Sequence, residues 1–491
     1  MPDSDLRAAG LLGRNRPLVG DRWIDDTSAG VVDHIDPSTG RGIAQVLIGG
    51  AREIDLAVKA AHEGQRLWLA MLPSQRARAL QRLADLIERH SEQLVDVLAL
   101  DAGVPSGMGV GLAVEWVRHF AGHADKITGQ AAEASIGPGF HFTRKEPYGV
   151  VGAVIPWNHP LIASCQIAIP AIAAGNAVVL KPPSLTPFTA LRLGELALEA
   201  GLPPGVLCVV PGDVEAGNAL IRHPGIGKIS FTGGGGTARK VMATAAEVLK
   251  PLFLELGGKS ANLLFADCSL ATRVPFSALF AMGLSGQGCV LPTRLLVEAP
   301  IYDAVVDGLV AALAHLKIGP AIDRATTFGP LIEARACERV LGVIERAQRA
   351  GEGRLVTGGR RVEGSLAGGY FVEPTIFSDV DPASPLARDE IFGPVLAVLR
   401  FETEAQALQI ANDGEFGLGA YVQTGSLDRA HRLAARLRAG TVNINGFSNM
   451  EPAMPFGGYR QSGFGRIGGL AGLDEFLQTK AVYLGVSGEG A

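Results

Sequence analysis

Beyond Pro147 the chain alternates short, wholly apolar runs with stretches of helical periodicity. The runs are Val150 to Ile155, Ala177 to Leu180, Val206 to Val210, Lys228 to Phe231 and Leu252 to Leu256. A strand with one face in water would alternate apolar and polar residues. Runs that are apolar at nearly every position are buried on both faces, as in a parallel sheet covered by crossover helices. A second series follows at Ala261 to Phe265, Arg294 to Val297, Val395 to Arg400, Ala420 to Gln423 and Thr441 to Ile444. At 491 residues the chain is too long for one compact core, so the pattern predicts two α/β domains in series.

Ahead of the first series, Ala77, Leu80, Leu83, Ala84, Ile87, Leu94 and Leu98 recur at spacings of three and four, which predicts one amphipathic helix from Ser74 to Leu98. The Gly-rich segment from Ile127 to Lys145 alternates around Ser135 to Phe142 and reads as an exposed hairpin. Near the C-terminus, Ala481 to Val486 reads as a further strand. Two edge strands outside the main domains suggest pairing with another subunit.

Several function classes are excluded by composition. The net charge of −5 gives no electrostatic footprint for nucleic acid. No apolar run is long enough to span a membrane, and Met1 to Arg16 has no apolar leader core. The five cysteines, Cys165, Cys208, Cys268, Cys289 and Cys337, form no CxxC pair and have no His at ligand spacing. That pattern fits reduced thiols in a cytoplasm, with neither a disulfide framework nor a metal site.

Chemistry-bearing residues sit at the ends of the expected strands. Thr232-Gly233-Gly234-Gly235-Gly236-Thr237-Ala238 follows one strand and opens a helix, so Gly233, Gly235 and Ala238 satisfy GxGxxA in context. A phosphate could approach the helix N-terminus there, although an isolated match is more often a glycine-rich turn. Asn158, in Pro156-Trp157-Asn158-His159-Pro160, is either a helix N-cap or an amide donor to a developing oxyanion. Lys181 ends a strand, where open α/β sheets bind ligands; otherwise it is a solvated lysine before a proline turn. Glu255 lies near the position expected for a ribose-binding acid, yet Glu255 and Cys289 on glycine-flanked segments are also the parts for acyl chemistry finished by hydrolysis. Singly, each of these residues has a bland structural reading.

Taken in order, Pro156-Trp157-Asn158, Lys181-Pro182, Phe231-Thr232-Gly233, Glu255-Leu256-Gly257-Gly258-Lys259-Ser260, Gly286-Gln287-Gly288-Cys289, Glu390-Ile391-Phe392-Gly393-Pro394 and Pro455-Phe456-Gly457-Gly458-Tyr459 resemble the signatures of the aldehyde dehydrogenase superfamily, from about Leu18 to Tyr483. The resemblance implies an α/β fold with three parts. These are a Rossmann-like NAD(P)-binding domain (1–126 and 147–254), an α/β catalytic domain (255–456), and a small β oligomerisation extension (127–146 and 457–491) joining dimers or tetramers. It makes Cys289 the nucleophile, Glu255 the general base, and Asn158 with the Cys289 backbone N–H the oxyanion hole; Lys181 is counted with this catalytic set. NAD or NADP is expected along Ile155, Pro156, Trp157, Lys181, Ser184, Gly212, Phe231, Thr232, Gly233, Gly234, Leu256 and Gly257, with Glu390 and Phe392 at the nicotinamide end.

Departures from the family pattern bear on specificity. Ser184 stands where NAD-specific members often carry Glu, so a 2′-phosphate is not repelled there and NADP is expected alongside NAD. Leu284 replaces a common Asn, Gly234 and Gly235 replace Ser and Thr, and Arg460 and Ile467 replace a Lys and a Glu. His159, Ala163 and Gln166 share a helix face beside Asn158, and the family comparison adds Leu284, Gly288, Val290, Met450 and Phe456 to the substrate side. None is Arg or Lys, which predicts a neutral small-molecule aldehyde, apolar or aromatic, over a carboxylate-bearing semialdehyde. A CoA-acylating relative would lack the Glu255 base, and a non-catalytic homologue would have no need of Cys289, Glu255 and Asn158 together.

Overall fold

The computed structural model describes residues 10–107, 109–136, 139–447 and 450–485; the ends of the first and last expected segments, with Val486, lie outside these. The first apolar series forms β1 (Val150–Val154), β2 (Ala177–Lys181), β3 (Leu207–Val209), β4 (Lys228–Gly233) and β5 (Leu252–Leu256). They are mutually parallel in the order β5-β4-β1-β2-β3. The chain starts in the middle at β1, builds outward through β2 and β3, then crosses to β4 and β5. The carboxyl ends of β1 and β4 therefore flank the point where strand order reverses, the place where open α/β sheets leave a crevice.

Both outer edges of this sheet are capped. Leu18–Val19 and Arg22–Trp23 extend it beyond β3, and Gly463–Phe464 pairs antiparallel with β5, setting Gly463 opposite Glu255. The helix Pro160–Ala173 is buried along its whole length beneath the sheet, and Trp68 Nε1 donates to its Ile172 carbonyl at 2.9 Å.

The second series builds a seven-stranded sheet from β6 (Ala261–Leu264), β7 (Arg294–Glu298), β8 (Arg354–Thr357), β9 (Thr375–Ser378), β10 (Val395–Phe401), β11 (Gly419–Gln423) and β12 (Thr441–Ile444), in the order β8-β9-β10-β7-β6-β11-β12. Only β8 runs antiparallel to its neighbour. Neither β8 nor β9 was expected, because each is four residues long and carries no extended apolar run.

Two further expectations are corrected. The segment from Ser74 to Leu98 is two helices, Pro73–Arg89 and Ser91–Ala102, broken at His90 (φ −95°, ψ 16°). The apolar spacing continues across the break because both pieces pack on the same core, which includes Leu83, Ile87, Leu94 and Leu98. The two outlying strands pair first within the chain. Gly139–Pro147 lies between Ala131–Glu133 and Leu477–Gly485 in a three-stranded antiparallel sheet, with Leu477 opposite Pro147 and Gly485 opposite Gly139. Phe140, Tyr483 and Leu484 are exposed on it. Among the described residues no helix is long and apolar enough to cross a membrane, and no cluster of His, Cys, Asp and Glu could hold a metal.

Candidate active site

The crevice at the strand-order reversal opens into a cavity of about 290 Å³. Its walls come from four places: Pro156, Trp157 and Asn158 after β1; Thr232, Gly233 and Gly234 at the end of β4; Glu255, Leu256 and Gly257 at the end of β5; and, from the second sheet's side, Cys289, Arg339, Glu390 and Phe392. Parallel strands bring these loops to one edge although they are up to 236 positions apart in the sequence.

Cys289 and Glu255 face each other here. The thiol donates a hydrogen bond to the Glu255 carboxylate; Glu255 is buried and Cys289 half-buried. Burial is the main cause of both shifts: it pushes Glu255 up to about 8, with the hydrogen bond from Cys289 opposing and Glu390 adding to the rise. The thiol is pushed well above its usual range by burial, by Glu255 and by Glu390. Burial thus favours the protonated form of both groups, and Glu255 must ionise before it can take the thiol proton. Glu255 Oε1 has no hydrogen-bond partner, although the residue is only 3% exposed.

Asn158 is not the helix cap; His159 takes that position. The Asn158 Nδ2 instead donates 2.8 Å to the carbonyl of Gln287, two residues before the thiol, and the Cys289 N–H is turned toward its own sulfur. The Cys289 N–H thus lies beside Sγ, and the Asn158 amide is held by the segment that carries the thiol. The turn that carries the thiol is tightly constrained: Leu284, Ser285 and Gly286 all adopt positive φ (50°, 55° and 76°), and a Cβ at Gly286 would fall 2.1 Å from the Gly393 carbonyl oxygen. Ser285 Oγ donates to the Gly329 carbonyl at 2.7 Å, and the Gln287 amide bonds the 284, 330 and 332 backbone.

The far wall is set by Glu390 and Phe392. Glu390 accepts the Gly258 N–H at 2.9 Å, and its carboxylate occupies the space a Cβ at Gly257 would need, at 2.1 Å. Trp157 and Phe392 meet edge to face at 5.4 Å between centroids. Arg339, on the helix Ala334–Ala350, donates to the carbonyls of Ile391 and Phe392 and so fixes that loop. Arg339 was missed because a polar residue on an amphipathic helix reads as a solvated face.

Lys181 does not share the cavity with Cys289. It is buried, and its Nζ donates to the carbonyls of Gly212 and Pro182. The structure separates it from the catalytic set and groups it with Ser184 and Gly212, across the ends of β2 and β3. A second missed residue lies there: Asp213 accepts the Ser184 hydroxyl at 2.6 Å and acts through space on Lys181. Its only sequence signal was an acid at a strand's carboxyl end. Ile155 and Phe231 are buried against the two hydrophobic layers behind the crevice.

On the other side of the thiol, Ala163, Val290 and Phe456 belong to one buried cluster, and Leu284, Cys289 and Met450 pack against it. His159 and Gln166 are buried, and the Gln166 amide nitrogen has no partner. Apart from Cys289, these residues and Gly288 lie outside the cavity lining that reaches Glu390.

Residues 23–482 match the Aldehyde dehydrogenase family. The chain belongs to that family. As an aldehyde dehydrogenase it oxidises aldehydes. The protein DhaS of Bacillus subtilis (strain 168), which its name places among the aldehyde dehydrogenases, is 39% identical over 481 residues, 96% of each chain. An aldehyde dehydrogenase from Bacillus cereus, solved as its NAD+ complex, superposes with a TM-score of 0.94 at 36% identity, covering 98% of this chain and 99% of that one. The gamma-glutamyl-gamma-aminobutyraldehyde dehydrogenase of Burkholderia cenocepacia J2315 superposes equally well (TM-score 0.94) at 39% identity, covering 98% and 99%.

Proposed function

We propose that this aldehyde dehydrogenase converts a neutral, apolar or aromatic aldehyde to its carboxylic acid with Cys289 as nucleophile, Glu255 as base and Asn158 as oxyanion donor. The observation that carries the reading is the thiol-to-carboxylate hydrogen bond beside an amide donor at the carboxyl edge of a Rossmann-like sheet. Glu255 takes the thiol proton, and the thiolate adds to the carbonyl carbon. The oxygen gathers charge between the Asn158 amide and the Cys289 N–H. Bound NAD supplies the hydride acceptor, and a thioester remains on Cys289. Glu255 passes the thiol proton to solvent and then takes one from the attacking water; the thioester C–S bond breaks, freeing the acid and the Cys289 sulfur, which is reprotonated.

The residues present fit a dinucleotide. Gly234, Gly235 and Gly236 open the helix Gly235–Ala246 with no atom within 4 Å of where a Cβ would stand, which leaves room for a pyrophosphate against backbone N–H groups. Lys181, Ser184 and Gly212 would hold the adenosine ribose, and Glu390 with Phe392 the nicotinamide end. Ser184 alone admits NADP beside NAD. Asp213, bonded to Ser184, restores a carboxylate at that spot and favours NAD of the two, because a 2′-phosphate would meet like charge. Replacing Asp213 with Ser is expected to raise the ratio of kcat/KM for NADP to that for NAD about tenfold, a change of about 1.4 kcal/mol. An unchanged ratio in steady-state kinetics would remove Asp213 from the selectivity account.

Asn158→Ala is expected to lower kcat by ~10²–10³, the usual loss for one oxyanion donor, while iodoacetamide still labels Cys289. The domain division, a homo-oligomer built on the three-stranded sheet, and a cytoplasmic location belong to the same reading. The deciding experiment is an aldehyde panel with NAD and NADP, followed by nicotinamide absorbance. Benzaldehyde and hexanal should outperform succinate semialdehyde. The reverse order would move the protein to the semialdehyde oxidisers, the reading that its likeness to the gamma-glutamyl-gamma-aminobutyraldehyde dehydrogenase favours.

A further inference from the structure

Two adjacent glycines follow the base at the end of β5, and close approach accounts for both. A side chain at Gly257 would push the Glu390 carboxylate aside, and a Cβ at Gly258 would fall 2.8 Å from the Cys289 carbonyl oxygen. The peptide between them therefore has the torsional freedom of glycine on both sides. Unrestrained, such a peptide can turn over and exchange the directions of its C=O and N–H.

It is held from both ends. Its N–H, that of Gly258, donates to Glu390 at 2.9 Å. Its C=O, that of Gly257, accepts from Ser462 Oγ at 2.7 Å. Ser462 is fully buried at the end of the turn Arg460–Ser462, directly before the segment that pairs with β5. The Ser462 oxygen accepts the Gly417 N–H at 3.0 Å, and the Tyr459 N–H donates to the Gly417 carbonyl at 2.9 Å. With its oxygen engaged by Gly417, the hydroxyl directs its single proton at Gly257. The groups form a chain, from the Gly417 N–H through the Ser462 hydroxyl and the peptide to the Glu390 carboxylate, in which each bond polarises the next. Turned over, the peptide would set its carbonyl oxygen against that carboxylate.

We propose that Ser462 is a positioning residue for cofactor binding, whose hydroxyl locks the Gly257–Gly258 peptide with its N–H toward Glu390 and so aims Glu390 at the nicotinamide end of NAD. The proposal rests on the place given to Glu390 under the proposed function. Burial raises Glu390 above the usual carboxylate range, and the Gly258 N–H is foremost among the contacts that oppose the rise. Losing the peptide's orientation would therefore cost Glu390 both its direction and part of its charge.

The test is NAD affinity of the full-length enzyme, by fluorescence titration, in Ser462→Ala, Glu390→Ala and the double variant. Ser462→Ala removes the group between the Gly257 carbonyl and the Gly417 N–H, and the dissociation constant should rise about tenfold. Glu390→Ala should also weaken binding. Adding Ser462→Ala to it should change the constant by less than about twofold, because no carboxylate is left to aim. Should Ser462→Ala fail to fold, Ser462→Cys, with a weaker S–H donor, takes its place and should give a smaller rise. An unchanged dissociation constant in the folded Ser462 variant, or losses that multiply in the double variant, would overturn the role of Ser462 and leave Glu390 in place. Normal NAD binding by Glu390→Ala would overturn the assignment of Glu390, and this proposal with it.

Discussion

Cys289→Ala is expected to abolish aldehyde oxidation, lowering kcat by about 10⁴ or more, the range seen when a covalent nucleophile is removed and only binding and the oxyanion hole remain. The loss should fall on kcat alone. Cys289 lines the inner end of the cavity, whereas the glycine turn after β4 and the Lys181, Ser184 and Asp213 group that would hold the cofactor are built from other segments. NAD affinity by fluorescence titration should therefore stay within about twofold, below 0.5 kcal/mol. Stability should change little as well, because the thiol is half-buried and its side-chain polar contact is with Glu255. Normal oxidation by this variant would end the proposed mechanism. Lost NAD binding would instead point to collapse of the strained turn at Leu284 and Ser285.

Glu255→Gln should separate the two halves of the reaction. Removing a general base costs ~10²–10⁴ in the step it serves, and thioester hydrolysis is the step expected to become limiting in this variant. With Cys289 losing its proton directly to water, a burst of NADH close to one per site should precede a steady rate reduced by that factor. The pH profile provides an independent reading. Glu255 must be deprotonated to act as base and is pushed up to about 8 by burial, so wild-type kcat should climb roughly tenfold per unit below that pH and level off above it. The apparent value belongs to the coupled Glu255–Cys289 pair and to neither group alone. In Glu255→Gln the climb should disappear or move toward the thiol's own high range. A wild-type kcat that is flat from pH 6 to 9 would mean that Glu255 does not limit turnover.

Both variants follow from residues that could be found without coordinates, and the reason is physical. Strands buried on both faces leave uninterrupted apolar runs, so β1 to β5 were visible as sequence. Their carboxyl ends carry Asn158, Gly233 and Glu255 to the edge where open α/β sheets bind ligands, and Cys289 meets them there from the second sheet's side. What escaped notice depended on long-range packing. His90 breaks a helix without a Gly or Pro to mark it. The strand β9 owes its conformation to β10, and β8 to β9, not to their own pattern. Arg339 and Asp213 matter through the backbone or side chain each happens to meet, and nothing in their local sequence announces it. Lys181 was assigned to chemistry by motif alone, and its buried bonds to Gly212 and Pro182 show where it sits.

The pairing of β5 with Gly463–Phe464 also constrains the order in which the enzyme can become active during synthesis. Glu255 and Gly463 sit opposite each other, yet a ribosome adding about 5–20 residues per second needs roughly 10–40 s to travel from one to the other. Throughout that interval β5 is an uncovered sheet edge, open to pairing with another nascent chain. The same late segment brings Phe456, Ile467, Phe476 and Leu477 to the core behind the thiol. A chain cut short before residue 463 would therefore carry its nucleophile, base and oxyanion donor and still lack the strand that holds the base in place.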